Sequence, residues 1–146
     1  MVLETSLYTI TNVRQNNLAY LADPHDDSPV AANYPQNDKS ERWNVNDLGN
    51  GRHSIQSQGQ NMFAATDNRA PVGASVIGSS RRFPWLITET RVKGQYTIST
   101  TDTRFFWGLV DNQLETPIVL ASSATDSRNA WIFKKVNEVQ DAPAAS

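Results

Sequence analysis

Cysteine is absent from this chain of 146 residues, so neither disulfides nor thiolate metal ligands hold it together. Histidine is nearly absent too, with only His25 and His53, which leaves little material for acid–base or metal chemistry. No G-x-S-x-G elbow, phosphate-binding Gly-rich loop or H-E-x-x-H pair occurs, so the common catalytic signatures are missing. Charge of one sign is not in excess: thirteen Lys and Arg face fifteen Asp and Glu, a net of −2. That balance argues against nucleic acid or an anionic membrane as the main partner. No stretch approaches the ~20 apolar residues of a membrane span. The first ten residues lack a basic segment followed by an apolar run, and no Asn-x-Ser/Thr acceptor occurs. The expectation is a soluble protein made and kept in the cytoplasm, without membrane insertion. The length suits one domain, over residues 1–137, whose core needs no covalent staple. Residues 138–146 are small, polar and Pro-interrupted, which predicts a flexible tail.

What the chain does have is short windows of alternating apolar residues separated by Asn, Asp, Gly, Ser and Pro. This pattern predicts an all-β protein of many short strands. Cut into thirds, the sequence repeats. Each third opens on an alternating strand: Tyr8-Thr9-Ile10, His53-Ser54-Ile55 and Tyr96-Thr97-Ile98, with isoleucines 45 and 43 residues apart. A second strand ends in Asp23, Asp67 and Asp111, 44 apart both times. A third starts at Pro29-Val30, Pro71-Val72 and Pro117-Ile118, Pro being tolerated where a strand begins. A fourth carries Trp43, Trp85 and Trp131, 42 and 46 apart. A β-sandwich with accidental periodicity would have to put four series in phase.

Twelve short strands in three units of about 5–49, 50–92 and 93–136 cannot each bury an apolar face alone. Closing six into a barrel and capping it with three hairpins buries all of them and removes most free edges. The predicted fold is therefore a β-trefoil with three pseudo-symmetric four-stranded repeats.

The three Trp residues belong to the core, because a barrel needs bulky side chains in layers. The aspartates admit two roles. Each can close an Asx turn, its carboxylate accepting from backbone N–H two residues on. One oxygen can still accept from a ligand, and a carboxylate suits a pair of vicinal hydroxyls. Polar groups cluster nearby: Asn33, Tyr34, Gln36, Asn37 and Ser40 before Trp43, Arg82 before Trp85, and Arg128 and Asn129 before Trp131. Tyr34 offers an apolar face to a ring. Equally, these can be plain solvated loops. His53 stands where the other thirds have Tyr and reads as a structural strand residue. His25 lies in Asp23-Pro24-His25-Asp26-Asp27-Ser28, which matches no EF-hand and reads as a solvated acidic loop.

Three units with an Asp closing the second strand and a Trp opening the fourth resemble β-trefoil lectins with ricin-B-type repeats. The start Tyr8-Thr9-Ile10-Thr11-Asn12 and the end Arg128-Asn129-Ala130-Trp131-Ile132-Phe133-Lys134-Lys135 resemble small cytoplasmic β-trefoils of mushroom fruiting bodies. That group holds galactose- and N-acetylgalactosamine-binding lectins and serine protease inhibitors. The resemblance implies no catalysis, no cofactor and no metal. It implies reversible multivalent binding of galactose-type glycans such as lactose, with hemagglutination and a defensive role. A homodimer would multiply the sites. The sugar-binding Asp of the family carries over to Asp23, Asp67 and Asp111, with Asn68 and Asn112 beside the last two. The family's Gln before Trp is replaced by Glu41, Phe83 and Asn129, and the Asn before that by Ser40, Arg82 and Arg128. Repeat three departs least in chemistry and repeat two most. For the inhibitor alternative, a decoy Lys or Arg is needed at a loop tip; the loop before Pro29 has neither, whereas Asn68-Arg69-Ala70-Pro71 presents Arg69.

Overall fold

The computed structural model describes residues 3–23, 25, 28–35, 39–66, 71–113, 115–123 and 125–136. The expected tail lies outside the described residues, as do Asp67, Asn68, Arg69, Gln36 and Asn37. Alternation of apolar residues does produce strands. They are β1 (Ser6–Asn12), β2 (Leu18–Tyr20), β3 (Ala31–Asn33), β4 (Arg42–Gly49), β5 (Arg52–Ser57), β6 (Phe63–Ala65) and β7 (Ile77–Ser79). There follow β8 (Trp85–Glu89), β9 (Tyr96–Ser99), β10 (Phe106–Gly108), β11 (Thr116–Pro117), β12 (Val119–Ala121) and β13 (Trp131–Lys135). Two short 3-10 turns, Lys39–Glu41 and Ser127–Asn129, precede β4 and β13.

Six strands close on themselves, every pair antiparallel. Tyr8 of β1 faces Trp43 of β4, Val45 of β4 faces Ile55 of β5, and His53 of β5 faces Trp85 of β8. Ile87 of β8 faces Ile98 of β9, Tyr96 of β9 faces Trp131 of β13, and Phe133 of β13 returns to Ile10 of β1. The barrel thus leaves none of these six with a free edge. The hairpins β2–β3, β6–β7 and β10–β12 cap one end.

At that cap three backbone bonds form a closed cycle. Val30 N donates to Val76 O (2.7 Å), Val76 N to Ile118 O (2.8 Å) and Ile118 N to Val30 O (2.9 Å). All three side chains are fully buried, which marks the pseudo-threefold axis. The cycle corrects one expectation: the third strand of repeat two is entered through Val76, not Pro71-Val72. Residues 71–74 instead make a turn, with Ala74 N donating to Pro71 O (3.1 Å) and Gly73 at φ +93°. Val72 and Val76 share parity along a strand, so alternation cannot choose between them. A second difference has the same origin. Ile118 gives its N–H and C=O to the cycle, so the third strand of repeat three is broken there into β11 and β12. Among the described residues there are thirteen strands, where twelve were expected.

The core is layered by repeat. Ile10, Ile55, Ile98 and Trp43, Trp85, Trp131 are all fully buried. The three indoles repeat one bond: Trp43 Nε1 donates to Ala19 O (3.0 Å), Trp85 Nε1 to Ala64 O (2.8 Å) and Trp131 Nε1 to Trp107 O (3.0 Å). Each indole therefore fastens a barrel strand to its own capping hairpin while burying ~150–250 Å² of ring. Trp107 is a fourth buried Trp, edge-on to Trp85 and Trp131. His53 is fully buried and its Nε2–H donates to Leu3 O (2.7 Å), a structural strand position as expected.

Candidate functional site

The indole bonds set the register between repeats, and with it the residues that face each other beside each Trp. One position after the accepting carbonyl stand Tyr20, Ala65 and Gly108; two before the Trp stand Glu41, Phe83 and Asn129. Repeat three pairs the smallest residue with a primary amide. A Cβ on Gly108 would lie 2.4 Å from Asn129 Oδ1 and 3.1 Å from Ala121 Cβ. Glycine is therefore what admits the Asn129 side chain. Beside it opens a cleft of about 320 Å³, with Gly108, Val110, Val119, Ser123, Arg128 and Asn129 in its lining. In repeat one Tyr20 holds the corresponding place. In repeat two Phe83 turns inward on Trp85 (centroids 4.8 Å apart), which makes that position apolar.

Backbone bonds hold the cleft of repeat three rigidly. Asn129 is 5% exposed and its Nδ2 donates to Ser123 O (2.7 Å). The Arg128 carbonyl accepts from Leu109 N (3.0 Å) and from Asn12 Nδ2 (2.8 Å). Asn12 Oδ1 in turn accepts from Arg14 N and Gln15 N, so one buried Asn fixes both its own turn and the cleft. Asp126 caps the 3-10 turn Ser127–Asn129, accepting from Arg128 N (2.9 Å). The Arg128 guanidinium closes on the same carboxylate, with Nη2 2.7 Å from Oδ2. Hydrogen bonds from the Arg128 side chain and backbone hold Asp126 down at about 2, and the same pairing raises Arg128. Arg128 is thus a fixed rim group, and Asp126 is a partner that the repeat pattern did not reveal.

The other predicted residues fall as follows. Asp111 is exposed and closes its loop: Thr116 Oγ1 donates to its Oδ1 (2.6 Å), as does Gln113 N (3.0 Å). These bonds, the Thr116 one first, hold its carboxyl below the ordinary value. Asp111 and Asn112 therefore lie in the loop after Val110, outside the cleft lining. Asp23 is exposed in repeat one. Asn33 Oδ1 accepts from Tyr34 N (2.8 Å), and the Tyr34 ring is 57% exposed. Ser40 is half-buried, its carbonyl accepting from Leu21 N (3.0 Å) as that of Arg128 does from Leu109. Arg82 is exposed, and Asp67, Asn68 and Arg69 lie outside the described residues. Counted from the indole-accepting carbonyls, Asp23 and Asp111 stand four residues on, and the residue at that count in repeat two is Asn68.

One cross-repeat feature had no sequence signal. The Tyr20 hydroxyl is pushed up to about 12, first by burial and then by the Glu115 carboxylate that it bonds, with Asp23 adding repulsion. Glu115, at φ +63°, donates its N–H to Ala32 O (3.0 Å), so repeat three reaches into the repeat-one site. Among the described residues no group of three or more His, Cys, Asp or Glu could hold a metal ion; Asp26 and Asp27 beside His25 lie outside them.

A family model described as peptidase inhibitor I66 matches residues 1–138. No curated protein matches the chain. Among solved structures, the designed threefold symmetric protein ThreeFoil is similar (TM-score 0.83, 14% identity, 89% of this chain and 99% of that one). So is the ricin B-like lectin of Macrolepiota procera, solved in complex with lactose (TM-score 0.83, 17% identity, 93% and 99%). The Rhizoctonia solani agglutinin is a third (TM-score 0.85, 19% identity, 93% and 99%). With the closed ring of strands, these likenesses show the β-trefoil fold.

Proposed function

The chain belongs to the peptidase inhibitor I66 family, and on this fold we propose that it works as a carbohydrate-binding protein, taking galactose- and N-acetylgalactosamine-type glycans reversibly. The cleft of repeat three is the observation that carries the reading. It sets the buried Asn129 amide and the fixed Arg128–Asp126 rim beside apolar Val110 and Val119. A pyranose has that same division, with hydroxyls on its edge and C–H groups on one face. The Macrolepiota lectin, whose structure contains lactose, supports the reading through its fold. A shallow site with few hydrogen bonds gives roughly millimolar affinity, near −4 kcal/mol. Further sites at Asp23, Asn33, Tyr34 and Ser40 in repeat one, and at Asp67, Asn68 and Arg82 in repeat two, would raise avidity without new contacts. Glycoproteins bearing such sugars are then the partners, agglutination the outcome, and defence of a fungal fruiting body from a cytoplasmic store the use.

An NMR titration with galactose, N-acetylgalactosamine and lactose tests this. Saturable shifts with millimolar midpoints are expected, including the Asn129 side-chain amide. Silence with all three sugars would end the carbohydrate reading. Family membership favours a second reading, inhibition of a serine protease through the loop that carries Arg69. Tight trypsin inhibition that disappears in Arg69→Ala would establish it.

A further inference from the structure

The cleft of repeat three is not built by repeat three alone. Counted from the position four residues past each indole-accepting carbonyl, repeat two takes eight residues to reach the axis, from Asn68 to Val76, against seven from Asp23 to Val30 and from Asp111 to Ile118. This longer segment holds the turn at residues 71–74, which docks on β12: Gly73 N donates to Leu120 O (2.8 Å) and Leu120 N to Ala74 O (2.8 Å). This brings Val72 and Gly73 into the cleft lining with Val110. Both valines stay more than half exposed, 56% and 57%, which is wasteful for branched apolar side chains unless something covers them. Polar groups of the same lining lie beside them, namely Asn129, Ser123 and the Arg128–Asp126 pair.

We propose that Val72 and Val110 form a cross-repeat apolar subsite for the methyl of an acetamido group, so that this cleft prefers N-acetylhexosamines over the plain hexoses. The proposal rests on the carbohydrate reading and specifies which sugars that site takes. An acetamido group carries one methyl, which needs an apolar wall, and an amide, which needs a donor and an acceptor close by. The valines supply the wall, and the polar groups of the lining supply hydrogen-bonding partners. A cleft of about 320 Å³ lies at the small end of ligand sites, in keeping with one or two sugar units rather than a long chain. The turn that delivers Val72 is longer than its counterparts, so this specificity belongs to one repeat and not to all three.

The test compares galactose with N-acetylgalactosamine by NMR titration of the whole chain, in the natural protein and in Val72→Thr and Val110→Thr. Threonine keeps the shape and replaces one methyl by a hydroxyl. Both positions are exposed, so the fold should tolerate either change. The natural protein is expected to bind the acetamido sugar about fourfold more tightly, which corresponds to ~0.8 kcal/mol for one buried methyl. Val72→Thr should lose most of that preference while its galactose affinity holds; Val110→Thr, whose side chain also faces the sugar ring, should lose the preference together with some affinity for both sugars. Equal affinities for the two sugars in the natural protein, or an undiminished preference in both variants, would overturn the subsite while leaving the lectin reading intact. If neither sugar perturbs the cleft, the carbohydrate reading falls and takes the subsite with it.

Discussion

Two residues shape the space beside the tryptophans of repeats one and three. Gly108 is glycine because Asn129 occupies the space where its Cβ would be, 2.4 Å from the amide oxygen. In Gly108→Ala the amide must leave or the strand must shift. Overpacking of this kind costs ~1–3 kcal/mol, read from the urea midpoint, and sugar shifts at Asn129 should vanish. A variant that keeps both stability and binding would show that Asn129 has somewhere else to go. Tyr20 fills the equivalent place in repeat one, and its phenol is raised from 10.0 to about 12, burial being the largest cause. A folded-state pKa above the unfolded one means that the associated stabilisation is complete below pH ~10 and is lost as pH rises through the folded value. Phenolate absorbance should therefore show one tyrosine titrating near 12. In Glu115→Gln its pKa should fall, though not to the ordinary value, because burial remains. An unchanged titration in that variant would remove the carboxylate from the account.

At the scale of elements, the same devices recur under different residues. The turn after the first strand uses a left-handed residue in each repeat: Asn16 (φ 64°), Asn61 (φ 60°) and Thr103 (φ 59°). Asn accepts that conformation readily and a β-branched Thr does not, so the third instance is invisible to composition. The hairpin joining β4 to β5 turns on Asn50-Gly51, both at positive φ (57° and 78°), the conformation that a two-residue Asn-Gly turn takes. The 3-10 turn before β13 depends on Asp126, whose carboxyl is lowered from 3.8 to about 2, first by the Arg128 side chain. A depressed carboxylate contributes its stabilisation fully above pH ~4 and loses it as pH falls through the folded value. Amide shifts of Ser127, Arg128 and Asn129 should hold down to about pH 3 and move together below it. In Asp126→Ala the loss of the cap should cost ~0.5–2 kcal/mol, measured by urea unfolding, and the acid transition should disappear. If the transition persists in that variant, another group drives it.

For the whole molecule, stability is concentrated where the three repeats meet. The amides of Val30, Val76 and Ile118 are bonded in a cycle with no free end, and their side chains are fully buried. Opening any one of them requires parting two repeats, so these amides should be among the slowest to exchange hydrogen, at rates set by global unfolding. Fast exchange at one member alone would show that the cap frays repeat by repeat. Much of this architecture was determined by the sequence itself. The isoleucine and tryptophan series at about 45-residue spacing point to three units, because a half-buried strand alternates by chemistry and a repeated core must repeat its bulky residues. His53 as a strand residue, the tryptophans as core and Asp111 as a turn former follow from the same local physics. Only the tertiary structure decided that Val76 and not Val72 meets the axis, because the two share parity and the choice lies in hydrogen bonds to other repeats. It alone placed Tyr20 against Glu115, and Val72 in one cleft with Val110. It also separated Asn129 in its cleft from Asp111 in its loop. Spacing along a chain fixes what each repeat contains, whereas a binding surface is made where repeats touch, and those contacts have no period in the sequence.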